Sequence, residues 1–153
     1  MFESPDRHTA LSHALTLAVL VVTAVAAGLT ASHGRAQPAA AAPVDWSKAE
    51  TVEIDLKNFA FSPASLHLKQ GTAYRLHFVN QSSGGHDFTA KDFFAGATMD
   101  PATAGVVSNG TIKLSGNQSA DVDLVAPQTG HFEAHCSHLM HATLGMTGEV
   151  VVE

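Results

Sequence analysis

A single cysteine, Cys136, stands among 153 residues. One thiol cannot close an internal disulfide, so this is not a disulfide-stapled scaffold. Nor can it supply the several cysteines that structural zinc sites commonly use. Basic side chains are scarce as well: eight Lys and Arg stand against fourteen Asp and Glu, a formal net charge of −6. With no cluster of Lys or Arg, this balance argues against nucleic acid as a partner. Charged residues make up only 14% of the chain, too few for a disordered polyelectrolyte. There is no internal repeat and no glycine-rich nucleotide-binding loop. A chain of this length is expected to form one compact domain.

One long apolar run is present. Residues 14–31 read ALTLAVLVVTAVAAGLTA, with Arg7 before and Arg35 after, and SHGRAQPAAAAP follows. A charged lead, an apolar stretch and small residues form the layout of a secretory signal peptide over 1–36, with cleavage expected after Ala36. Glu3 and Asp6 make the lead poorly basic, and the run is near the lower limit for crossing a bilayer. An uncleaved membrane anchor through 14–31 is therefore the alternative. Residues 37–50 read as a flexible linker and 51–153 as the folded domain. The expected location is periplasmic or otherwise exported, and the expected state is a monomer. In an exported protein a lone thiol must be a dimer bridge, a reactive group or a metal ligand.

The remainder reads as all-β. Thr51 to Leu56 alternates with Val52, Ile54 and Leu56 on one face, and Ala73 to Asn80 does so with Tyr74, Leu76 and Phe78. Between them FAFSPASLHLKQG is broken at Ser62-Pro63 and resumes through Leu66 and Leu68. Further short strands are expected at Thr111–Leu114, Ala120–Val125, His131–Cys136 and Glu149–Val152. Gly, Asn and Pro stand between them, and only Lys91 to Ala97 suggests a helical turn. Seven or eight such strands fit a two-sheet sandwich. Asn-x-Ser/Thr triplets at Asn80, Asn109 and Asn117 fall in expected turns, where Asn is common anyway.

The chemistry is concentrated in HCSHLMHATLGM, residues 135–146. Strand alternation puts Phe132, Ala134 and Cys136 toward the core, and His131, Glu133 and His135 away from it. A loop leaving one strand and re-entering another can bring His141 and Met146 back over the Cys136 sulfur. Thiolate, imidazole and thioether are soft and borderline donors that suit copper, whereas a thioether suits zinc poorly. His138 and Met140 compete for the same roles. His138 follows Cys136 too closely to bend back easily, and Met140 lacks the following strand. His86, after the QSSGG loop, is the best candidate for a fourth donor. His67 and His77 lie in strand patterns that favour solvent, Met99 reads as ordinary loop packing, and Phe59, Phe61, Phe93 and Phe94 as core or surface plugs.

The pattern Cys136-x4-His141-x4-Met146, with Gly145, Gly148 and a terminal valine-rich strand, resembles the copper loop of the cupredoxins. These are small blue copper proteins such as plastocyanin and azurin. HFVNQSSGGHDF resembles the segment that delivers their first histidine. The resemblance covers roughly residues 51–153. It implies a Greek-key β-sandwich with one type 1 copper held by His86, Cys136, His141 and Met146. It also implies one-electron shuttling rather than catalysis, with redox partners docking transiently near His141 on a patch of Leu139, Met140, Ala142 and Leu144. The alternative function is a periplasmic copper carrier or copper-tolerance protein, to which His135, His138 and Met140 would contribute extra donors. Copper oxidases and nitrite reductases need a second copper centre with further histidines, which weighs against an enzyme. The sequence departs from the family at Asp87, where Asn or Ser is usual. Asp87 is expected to accept a hydrogen bond from Ser137, tying together the two segments that carry His86 and Cys136.

Overall fold

The structure, a computed structural model, describes residues 43–153. The expected signal or anchor segment lies outside the described residues. Within the expected linker, Asp45 caps a 3-10 turn at Trp46–Lys48, accepting from the Ser47 N–H at 3.2 Å. The first strand begins at Glu50.

The strands are β1 (Glu50–Lys57), β2 (Ala60–Ser62), β3 (Ser65–Leu68), β4 (Ala73–Asn80), β5 (His86–Thr89), β6 (Thr98–Met99), β7 (Thr111–Leu114), β8 (Ser119–Val125), β9 (Gly130–His135) and β10 (Thr147–Val152). One helix, α1 (Lys91–Gly96), follows β5. Two five-stranded sheets form, in the orders β2-β1-β4-β8-β6 and β3-β10-β9-β5-β7. This is the all-β two-sheet sandwich expected, with the chain crossing repeatedly between sheets. β1 with β4 and β3 with β10 pair in parallel, and the remaining pairs are antiparallel.

Alternation sets the core. Ile54, Leu56, Tyr74, Leu76 and Phe78 of the first sheet face Phe88, Ile112, Ala134 and Val150 of the second, all buried. Phe88 meets Phe61 and Phe78 at ring-centroid distances of 5.2 and 5.1 Å. Each buried Phe contributes about 2–3 kcal/mol through removal of apolar surface from water. The helix has no side-chain cap and is held by burial of its own Phe93 and Phe94. Met99, in the two-residue edge strand β6, packs partly buried against the core.

Two features place the site. All four residues of β5 are buried, and β5 touches β9 only through the pair Thr89–His135. The strand bearing His86 therefore converges on the end of β9, where Cys136 follows. The Asn80 triplet does not lie in an accessible turn: Asn80 is the last residue of β4 and is buried. Asn109 and Asn117 do occupy turns, at φ of 52° and 59°.

Candidate metal centre

Residues 137–146 form a tight backbone-bonded loop. The Cys136 N–H donates to the Met146 carbonyl (3.0 Å), the Met146 N–H to the His141 carbonyl (2.9 Å), and the His141 N–H to the His138 carbonyl (3.1 Å). Gly145, at φ 108°, supplies the turn into β10 that a side chain would resist. Met140 sits at φ 68°; for a residue with a Cβ this conformation costs on the order of 1–2 kcal/mol.

The loop brings His141 back over Cys136, with Sγ 3.5 Å from His141 Nδ1. The donor atoms of His86, Cys136 and His141 all lie within 4.8 Å of one another. Among the described residues no other group of three such donors comes together. Cys136 is 1% exposed, His86 2% and Met146 0%, while His141 is only partly covered. Water is therefore kept from three of the four expected donors.

His86 shows what the cluster is suited to hold. Its Nε2 faces Asn58 Oδ1 at 3.4 Å, and its buried Nδ1 has no hydrogen-bond partner. Leaving a buried polar atom unpaired costs about 1–3 kcal/mol, which an ion at that nitrogen would offset. Burial lowers the His86 pKa, and charge on His141 and His138 would lower it further. The ring therefore stays neutral with a lone pair free to donate. Burial raises the Cys136 thiol pKa, while the backbone N–H groups of Asp87 and His138 pull it down. Two imidazoles and one thiol, with Met146 buried in the same backbone-bonded loop, are a donor set that fits copper.

A profile of the cupredoxin-like domain matches residues 17–152. The chain belongs to this family. Solved structures of similar fold include dithionite-reduced auracyanin from the photosynthetic bacterium Roseiflexus castenholzii, at 16% identity and TM-score 0.52, covering 69% of this chain and 98% of that one. Auracyanin B matches at 23% identity and TM-score 0.50, covering 69% and 89%. A multi-copper oxidase from Pseudomonas thermotolerans matches at 20% identity and TM-score 0.57, covering 73% of this chain and 31% of its own. At these identities the likeness is one of fold. No curated protein matches the chain in sequence.

Within this cupredoxin the Asp87–Ser137 tie is present and doubled. The Ser137 N–H donates to Asp87 Oδ1 at 2.7 Å and the Ser137 hydroxyl to Oδ2 at 2.6 Å. Thr89 Oγ1 donates to Oδ1 at 3.1 Å. Asp87 is buried, so it does not point to water. The strand bearing His86 and the loop bearing Cys136 are thus joined one residue beyond each donor.

Three supporting residues escaped sequence reasoning. Asn58 meets His86, as described. Phe59, at φ 60°, sets its ring edge-on to His141 with centroids 5.2 Å apart. Asn80 organises the loop before His86. Its amide donates to the carbonyls of Gly84 (2.8 Å), Leu114 (3.2 Å) and Ser115 (3.0 Å), and its Oδ1 accepts from the Ser82 N–H and hydroxyl. Its triplet offered a signal that pointed to the wrong role. Among the described residues, four other histidines stand apart: His67 bonds Ser65, His77 meets Asp121 at 2.6 Å, and His131 and His135 face outward as their strand period requires. His138 lies beside the cluster, its ring stacked on that of His141 at 5.3 Å and 21°.

Proposed function

We propose that this chain is a blue copper protein that exchanges single electrons with redox partners, its one copper held by His86, Cys136, His141 and Met146. The observation that carries this reading is the buried, unpartnered Nδ1 of His86 in one cluster with Cys136 Sγ and His141. Copper bound there would supply a one-electron Cu(I)/Cu(II) couple with thiolate character. The protein's part is to hold the donors still in a dry site. Asp87 fixes the two converging segments, the Cys136 N–H to Met146 carbonyl bond closes the loop, and the sandwich beneath resists deformation. A donor set that moves little on gain or loss of an electron keeps the barrier to transfer low.

His141 is the least buried of the four donors. Around it stand Leu139, Met140 and Leu144, at 89%, 55% and 56% exposed, with Phe59 at 42%. We assign this apolar patch to brief docking of protein redox partners, through small interfaces that release quickly. The expected leader places this exchange in the periplasm or another exported compartment. A second reading, copper carriage, draws support from His138 and the exposed Met140 thioether at the rim.

The test is a visible spectrum and redox titration of the copper(II)-loaded protein. The wild type is expected to show an intense thiolate charge-transfer band and reversible one-electron cycling. Cys136→Ser should abolish the band and keep the β-rich circular dichroism. Retention of the band in Cys136→Ser overturns the assignment, and colour without reversible cycling favours carriage.

A further inference from the structure

We propose that His138 is the copper-capture residue of this site, an imidazole at the rim that takes the ion from solution and hands it to His141 and the buried donors. This rests on the copper reading above and concerns how the site fills, not what it does once filled.

The argument begins with access. His86, Cys136 and Met146 are buried, so an ion arriving with its water shell cannot meet them first. The His138 side chain is 45% exposed. Its ring lies beside the partly covered His141, stacked on it, and is 6.4 Å from the His86 ring. Among the described residues it forms no side-chain hydrogen bond. Its Nε2 stands 3.8 Å from Asp87 Oδ2, too far for a hydrogen bond.

The residue packed against the His138 ring is a glycine. Gly85 lies beneath the ring, where an added Cβ would come 3.5 Å from His138 Cε1 and 4.0 Å from Nε2. Any larger side chain there would spread over that edge. A carboxylate behind an imidazole attracts a cation, and both are donors that Cu²⁺ accepts. Asp87 itself is already held by Ser137 and Thr89. The movable partner is therefore His138, on the exposed side of the loop. For His141 and the buried donors to hold the ion, the Cys136 thiol would have to give up its proton to water, and His138 would be free to let go. The competing reading makes His138 a mere wall for the His141 ring. A wall changes the finished site, whereas a capture ligand changes the rate of filling.

The experiment mixes metal-free full-length protein with Cu²⁺ in a stopped-flow instrument and follows the thiolate charge-transfer band. Equilibrium affinity is measured separately by chelator competition. His138→Ala should slow loading severalfold, with the final spectrum, reduction potential and equilibrium affinity unchanged. Thr143→Ala, an exposed change in the same loop, should load at the wild-type rate. Loading of His138→Ala at the wild-type rate overturns the proposal. So does a changed final spectrum and affinity, which would assign the wall, or equal slowing in Thr143→Ala, which would assign loop flexibility. If wild-type protein develops no band, the copper reading fails and this inference fails with it. A wild-type band with unslowed His138→Ala overturns this inference alone.

Discussion

The tie between Asp87 and Ser137 can be weighed by changing each residue alone and both together. Asp87 is buried, and Ser137 gives it one N–H and one O–H bond at 2.7 and 2.6 Å. A hydrogen bond to a charged group contributes about 1.5–3 kcal/mol. Ser137 is itself exposed, so water can replace part of a lost hydroxyl, and Ser137→Ala should cost about 1–2 kcal/mol. Asp87→Asn keeps an oxygen for the Ser137 N–H and offers its new amide to the serine oxygen. It exchanges charge-assisted bonds for neutral ones, again at about 1–2 kcal/mol. In the double variant the hydroxyl bond is lost once rather than twice, so the combined cost should fall short of the sum by about 1 kcal/mol. Urea unfolding of metal-free protein, followed by far-ultraviolet circular dichroism, measures all four corners. Additivity within about 0.3–0.5 kcal/mol would refute the tie as a source of stability. In the copper-loaded protein, Asp87→Asn should raise the reduction potential, because a carboxylate favours the more positive oxidised ion. Ser137→Ala keeps the charge and should shift the potential less. An unchanged potential in Asp87→Asn would remove Asp87 from the tuning of the site.

Asn80→Ala would strand the Leu114 carbonyl and the Ser82 N–H in a buried place. It should cost about 3–5 kcal/mol, read as a lowered urea midpoint, and a loss below 1 kcal/mol would show that water takes over its bonds. Gly116→Ala would drive a Cβ into the Ser83 carbonyl, displacing the loop before His86. It should destabilise by about 1–3 kcal/mol and weaken copper retention against a chelator, and wild-type behaviour in both would refute that contact. The Glu149 carboxyl is held below its ordinary value by the Ser65 hydroxyl first and His131 second. A carboxylate with a depressed folded pKa adds stability that is present above its unfolded value and lost as pH falls through the folded one. Glu149→Gln should therefore flatten the acid limb of the stability–pH curve, below the ordinary carboxylate range, and an unchanged limb in urea titrations would discard the link.

Much of the fold was legible because a half-buried strand writes its register into the sequence. Ile54 and Leu56, Leu76 and Phe78, and Ala134 and Cys136 alternate with polar neighbours, and each of these is buried as the period requires. Local chemistry also carried through the loop: Cys136, His141 and Met146 are close in sequence, so spacing alone suggested that they could meet. Asp87 and Ser137 could be paired from sequence because each follows a converging donor.

What the sequence could not state is which distant elements lie side by side. Periodicity says which face is buried but nothing about the neighbouring strand, so the parallel pairs β1–β4 and β3–β10 became visible only in the fold. The two-residue strand β6 is too short to show a period, and pairing with β8 alone creates it. Asn58 and Phe59 reach the site from a turn nearly thirty residues before His86, as the 28-residue separation of Asn58 and His86 shows. Asn80 looked like a surface turn residue until three carbonyls from two other segments closed around its amide. Types and spacing of donors were fixed by the chain itself. Their burial, the unpaired nitrogen of His86 and the stacking of His138 on His141 were decided by packing, because these depend on surfaces that only the assembled sandwich brings together.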